Sequence, residues 1–210
     1  MGYFSAFRRG TQIETIMIQF KKLAGALLVI TLPLAAFSQD VKTKACEYRT
    51  DGKSGAHGMR LSFWVPCNWN RLEPTNESIL ASYSQSLPDS GTLTHTLTID
   101  KMPQALPPEQ LSGLFSSDGM KMIARQHGKY VSGSKVRIGE WDAAEIRYWN
   151  QYKQGNGMLY SYGVQYYLPM GDKIINISYL TGSGDKDQSK KLFAAHEEEF
   201  RTAAKTLLVR

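Results

Sequence analysis

The chain has 210 residues, 42% of them hydrophobic, 11% aromatic and 21% charged, with a formal net charge of +6. At roughly 100–200 residues per domain, this length holds one domain with short additions and excludes a large multidomain enzyme. The aromatic content excludes a disordered chain, and the absence of any internal repeat excludes collagen, solenoid and coiled-coil architectures.

The first predicted element is an address. Lys21 and Lys22 precede an apolar run from Leu23 to Leu34, followed by Ala35, Ala36, Phe37 and Ser38. A basic start, a short apolar centre and small residues before a cut define a secretory signal. It spans residues 17–38, with cleavage between Ser38 and Gln39. The apolar run is about a dozen residues where a membrane crossing takes about 20, and Pro33 would interrupt a helix there. No stable membrane span is therefore expected once the leader is removed. Residues 1–16 read as an upstream extension, Met17 being the more ordinary start. The leader carries half of the net charge, through Arg8, Arg9, Lys21 and Lys22 against Glu14. The remaining excess is scattered, so nucleic acid, which needs clustered Lys and Arg, is not an expected partner.

Export implies a periplasmic or extracellular location, where thiols oxidise. Cys46 and Cys67 are the only cysteines, and they are expected to pair. Closing a loop of about 20 residues is worth roughly 3 kcal/mol in the chain-entropy account. Two free thiols are the alternative. A metal site would need more ligands, and a redox pair would show the C-x-x-C spacing that is missing here.

After an N-terminal segment, residues 39–57, a single α+β domain is expected over 58–210. Gly58–Pro66 alternates Leu61, Phe63 and Val65 with Ser62 and Trp64, which predicts a strand with one buried face. Strands follow at Ile79–Gln85 and Thr92–Ile99. Pro107 and Pro108 open a helical stretch to His127, weakened at Gly113 and Gly119. An antiparallel meander comes next, with strands Tyr130–Ile138, Ala143–Tyr152, Met158–Leu168 and Lys173–Leu180. Gly139-Glu140, Gly155-Asn156-Gly157 and Pro169–Asp172 supply its turns. In the third of these strands the even positions from Met158 to Leu168 share an apolar face. In the fourth, Ile175, Ile177 and Tyr179 do so. The final helix, Asp187–Val209, carries Phe193, His196, Phe200, Ala203 and Leu207 on one stripe, with Glu197, Glu198 and Glu199 on its solvated side.

The search for chemistry begins with the four histidines, because a nucleophilic triad needs a base. His57 lies in a Gly-rich turn, His95 in a strand among threonines, His127 at a helix end and His196 on the apolar stripe. Each reads as structural. No H-E-x-x-H, G-x-S-x-G, P-loop or G-x-G-x-x-G motif occurs. No catalytic, cofactor or metal residue is assigned. Eight aromatic residues crowd the last three strands of the meander. If Ile146, Tyr148 and Tyr152 point inward, Arg147, Trp149 and Gln151 share the opposite face, and Tyr167 joins them if the even positions of its own strand are buried. Trp, Tyr and Arg together have the composition of a recognition surface, the predicted binding face.

Three segments carry a family resemblance. They are Phe63-Trp64-Val65-Pro66-Cys67-Asn68-Trp69, the hairpin entry Gly139–Tyr148 and the aromatic-spaced last helix. With the order of elements, they resemble the PsbP-like superfamily, whose members include the photosystem II extrinsic protein, a Ran-release factor and small bacterial envelope proteins. The resemblance implies an α-β-α sandwich around a central antiparallel sheet, with the C-terminal helix packed on the sheet. It also implies a non-catalytic accessory or assembly module that docks onto a protein partner of the cell envelope, without a cofactor. The alternatives are an immunity-type inhibitor of a toxin, a small-ligand or lipid carrier and, last, a small secreted hydrolase.

Overall fold

The computed structural model describes residues 45–51, 54–88 and 91–210. The predicted leader and its Ser38–Gln39 cut lie outside the described residues. The elements, in chain order, are β1 (Ala45–Arg49), β2 (Leu61–Pro66), β3 (Asn70–Leu72), β4 (Ile79–Ser86), β5 (Gly91–Lys101), α1 (Pro108–Leu114), α2 (Ser117–His127), β6 (Lys129–Ile138), β7 (Trp141–Gln154), β8 (Gly157–Met170), β9 (Lys173–Ser183), α3 (Lys186–Lys205) and β10 (Leu208–Val209).

The strands form a seven-stranded sheet, ordered β3-β4-β5-β9-β8-β7-β6, and a three-stranded sheet, ordered β1-β2-β10. Every pairing is antiparallel. The predicted meander is the run β6 to β9, whose tight turns place Gly139, Gly155 and Gly171 at φ of 57°, 57° and 62°. Such two-residue loops favour left-handed backbone, because its twist matches that of the flanking strands. The chain is thus α+β, with helices on both faces of the large sheet and the C-terminal helix packed on it.

The stretch from Pro108 to His127 breaks between the weakening glycines 113 and 119 into two helices, because Ser116 leaves helical geometry and its Oγ accepts from the Gly119 N–H at 3.0 Å. A capping hydroxyl satisfies an otherwise orphaned helix donor, so the second helix starts there. The last helix opens on Asp185, whose carboxylate accepts from the Gln188 N–H at 2.7 Å, and it ends at Thr206. The Thr206 hydroxyl donates to the Ala203 carbonyl at 2.6 Å and accepts from the Trp64 N–H at 3.0 Å. Leu208 and Val209 then pair with Ser62 and Leu61. The chain ends as an edge strand rather than as helix, because β2 offers an unpaired backbone edge there.

One face of the large sheet packs against α3 and the small sheet, and a column of rings joins the three parts. Phe63 of β2 meets His95 of β5 edge-on at 4.9 Å. His95 stacks on Tyr179 of β9 at 4.4 Å, and Tyr179 stacks on Phe200 of α3 at 5.0 Å. Leu93, Leu97, Ile99, Leu168 and Ile175 fill the space around them. The disulfide joins Cys46 of β1 to Cys67, just past β2, with Cα atoms 5.0 Å apart. The opposite face carries α2, which packs on β6 and β7. Gly133 of β6 permits that seat, since a Cβ there would lie 2.6 Å from the Met120 sulfur.

Candidate functional site

Register decides which side chains meet. Arg147 stands opposite Val164, and Trp149 opposite Tyr162, so both project from the α3 face with the apolar even positions of β8. Tyr167 stands opposite Ala144, and therefore projects from the α2 face with Ile146 and Tyr148. The four residues of the predicted recognition face do not share one side of the sheet. The expectation treated the even positions of β7 and of β8 as one buried side, whereas their register puts them on opposite sides, and both sides are covered.

The individual fates differ. Tyr167 is 2% exposed, its hydroxyl bonded to Gln165 Oε1 at 2.8 Å and to His127 Nε2 at 2.9 Å. Trp149 is half-buried. Lys186 Nζ lies 4.0 Å and Lys129 Nζ 4.8 Å from its ring centroid, and Tyr162 stacks beside it. Gln151 is exposed near the end of β7. Arg147 alone among them lines a cleft.

That cleft, of about 500 Å³, runs between the second half of α3 and strands β6 and β7. Its lining includes Arg137, Glu145, Arg147, Tyr166, Arg201 and Lys205. Glu145 is 3% exposed, and an unpaired carboxylate there would be costly to bury. Arg147 Nη2 meets its Oε1 at 2.7 Å. The same guanidinium holds Glu197 Oε1 through Nη2 at 2.6 Å and Nε at 2.9 Å, and Ser132 Oγ through Nη1 at 3.3 Å. Arg201 closes the network on Glu197 at 3.1 Å and Glu198 at 2.7 Å. Burial, and then the adjoining Glu145 carboxylate, pushes the Tyr166 hydroxyl well above the usual phenol range, so it stays protonated and serves that carboxylate as a donor.

Glu197 was expected on a solvated helix face and instead turns toward the sheet. The separation of 50 residues between it and Arg147 hides this pair from sequence patterns. At the cleft's rim Arg137 pairs with Asp142 at 3.2 Å, and Lys205 has no carboxylate partner among the described residues. Asp142 and Glu145 project from opposite faces of β7, so they do not form an acid pair.

The histidines are structural in their contacts. Burial pushes His95 down to about 3 and His127 down to about 4, so both rings are neutral near pH 7. His196 pairs with Glu199 at 2.8 Å on the outside of α3. His57 holds a left-handed backbone at φ 48° after the short 3-10 turn Ser54–Ala56. Among the described residues, no group of three or more His, Cys, Asp or Glu side chains is arranged to hold a metal ion, and no helix is long and apolar enough to cross a membrane.

No protein-family model matches the chain, and no curated protein matches it in sequence. Among solved structures it is similar to LpqN of Mycobacterium tuberculosis, described as involved in cell envelope biogenesis. The TM-score is 0.45 at 14% identity, over 79% of this chain and 91% of that one. It is also similar to a protein from Bacteroides thetaiotaomicron VPI-5482, with a TM-score of 0.38 at 17% identity, over 71% of this chain and 45% of that one. Similarity at this level carries no functional argument.

Proposed function

We propose that the protein is an exported, non-catalytic module of the cell envelope that binds a protein partner through the cleft beside α3. The observation that carries this reading is the distribution of charge within the cleft. The ionisable groups of its interior pair with one another, Glu145 and Glu197 against Arg147 and Arg201. The surplus lies at the rim, where Arg137 is paired with Asp142 and Lys205 has no carboxylate partner among the described residues. Such a rim suits a partner segment bearing Asp or Glu, because opposed surface charge steers encounter and fixes register.

The leader and the Cys46–Cys67 bridge support export, since disulfides persist in oxidising compartments. The PsbP-like resemblance agrees with an accessory role and belongs to the same proposal. The test is affinity capture from the native envelope, with wild-type protein and an Arg137→Glu/Lys205→Glu variant as baits. One envelope protein held by the wild type and lost by the variant, at unchanged Tm, is the expected result. Equal recovery on both baits would remove the cleft from the reading, and recovery of nothing by either would remove the partner.

A further inference from the structure

One wall of the cleft, β6, is also an edge of the large sheet. It is the last strand in the seven-stranded order, so its outer side pairs with no strand among the described residues. It is the longest edge strand as well, ten residues against three in β3, five in β1 and two in β10. Val131, Ser134, Lys135 and Arg137 are exposed along it, so no described element lies over that edge.

The hairpin fixes which backbone groups face outward. Ile138 and Trp141 flank a two-residue turn, and such a flanking pair exchanges both of its hydrogen bonds. Alternation from that pair commits Val136 and Ser134 to β7 and turns the N–H and C=O of Arg137, Lys135 and Gly133 away from the sheet. The register slips only between Tyr130 and Ser132, so Ser132 to Ile138 is a regular template. A row of unpaired donors and acceptors of this kind is where an extended segment adds as a further strand.

Side chains on the two sides of β6 narrow what can be added. Ser134, Val136 and Ile138 line the cleft, facing Arg201, Ala204 and Lys205 of α3. On the α2 side Lys135 and Arg137 share the Asp142 carboxylate, at 2.7 and 3.2 Å, and Lys135 Nζ lies 5.0 Å from the Phe115 ring centroid. Two cations on one carboxylate leave positive charge unmatched. β6 itself contains Lys129, Lys135 and Arg137 and no Asp or Glu. A second copy of this edge would set cations against cations, and like charges directly opposite on paired strands are destabilising. A segment bearing carboxylates meets the opposite sign.

We propose that the partner segment bound at this cleft joins β6 as an eighth, extended strand in which Asp or Glu alternates with apolar residues. The proposal rests on the protein-binding reading of the cleft and gives the partner's conformation and pattern. The new strand runs antiparallel, as every other pairing in the sheet does. Its residues opposite Lys135 and Arg137 project on the same side as those cations, where carboxylates pair with them. The residues between project into the cleft, over the apolar surface of Val136, Ile138 and Ala204.

Amide exchange read by NMR on the isotope-labelled protein tests it with two peptides, acetyl-Glu-Val-Glu-Thr-Glu-Val-Glu-Thr-amide and the same sequence with Lys in place of Glu. The acidic peptide should bind saturably below about 1 mM. It should slow the Lys135 and Arg137 amides about tenfold, while those of Ser134 and Val136, already bonded to β7, keep their rates. Lys135→Pro removes an outward donor and no bond between β6 and β7, so its affinity for the acidic peptide should fall about tenfold below that of Lys135→Ala, which loses the charge alone. The added strand is overturned if the acidic peptide does not bind, if it binds without slowing those two amides, if the basic peptide does as well, or if the two variants bind alike. The amides are read on unmodified protein, so they decide the matter even where the proline variant does not fold. Lys135→Pro as a further bait in the envelope capture separates the two readings. A partner kept by it and lost by Arg137→Glu/Lys205→Glu would overturn the added strand and leave the cleft in place, whereas slowed amides with no envelope partner recovered would overturn the reading above and leave the edge.

Discussion

The two faces of the large sheet are buried by different chemistry. Toward α3 the strands present Leu93, Leu97, Ile99, Val164, Leu168, Ile175 and Ile177, with the rings of His95 and Tyr179 stacked into the column that reaches Phe200. Toward α2 the same strands present Thr94, Thr96, Thr98, Gln165, Asn176 and Ser178. Apolar burial contributes roughly 25 cal/mol per Å², whereas buried hydroxyls and amides contribute only about 1 kcal/mol when bonded and cost free energy when they are not. Stability is therefore concentrated on the first face. The second is held in place by it and is free to carry groups that fold no better for being there.

Truncation is the sharpest way to break this contrast. Phe200→Ala, at a residue 1% exposed, should cost about 3–5 kcal/mol in urea denaturation, while Thr96→Ala on the other face should stay near 0.5 kcal/mol. Similar losses at the two sites would mean that the faces share the load.

Next in size is the response to acid, because each face owns a buried histidine. Unfolded histidine takes up a proton near pH 6.5, which folded His95 refuses until about 3 and folded His127 until about 4. As pH falls below 6.5, each removes about 1.4 kcal/mol of stability per pH unit. Asp100 acts in the other sense. Burial pushes its carboxyl up to about 6, so the folded form keeps a proton that the unfolded chain gives up above 3.8. Its contribution is complete below pH 3.8 and lost as pH rises through 6, which offsets one histidine in that window. The wild type should lose about 1.4 kcal/mol per unit between pH 6 and 4. His95→Phe should flatten that slope and Asp100→Asn should roughly double it, as read from urea midpoints across pH.

The smallest effect concerns the junction between sheet and helix. Lys186→Met, which removes the cation 4.0 Å from the Trp149 ring centroid, should cost about 0.5–1 kcal/mol and shift the tryptophan emission. An unchanged midpoint would show that Lys129 suffices over that ring.

Local chemistry made much of this fold legible in the sequence. Turn glycines at 139, 155 and 171 and the alternation of Leu61, Phe63 and Val65 mark hairpins and strands because both are properties of neighbouring residues. The end of the last helix was not legible, since Leu207 continues the helical stripe and stays 3% exposed even though the helix stops at Thr206. The predicted recognition face failed for a related reason. Alternation separates the two sides of each strand, but the side that Tyr167 shares with Arg147 depends on cross-strand register. The Arg147–Glu197 pair is likewise a product of tertiary pairing, silent in any window of the chain.

The strand that completes the small sheet comes from the last few residues. β2 is flanked by β1, a short distance before it in the chain, and by β10, whose Val209 pairs with Leu61. The early hairpin meets β4 and β5 through Tyr48 and Phe63, but its second edge stays unpaired until Leu208 and Val209 are in place. The small sheet is therefore completed by residues more than 140 positions apart, so its closure reports on the folding of the whole segment between them.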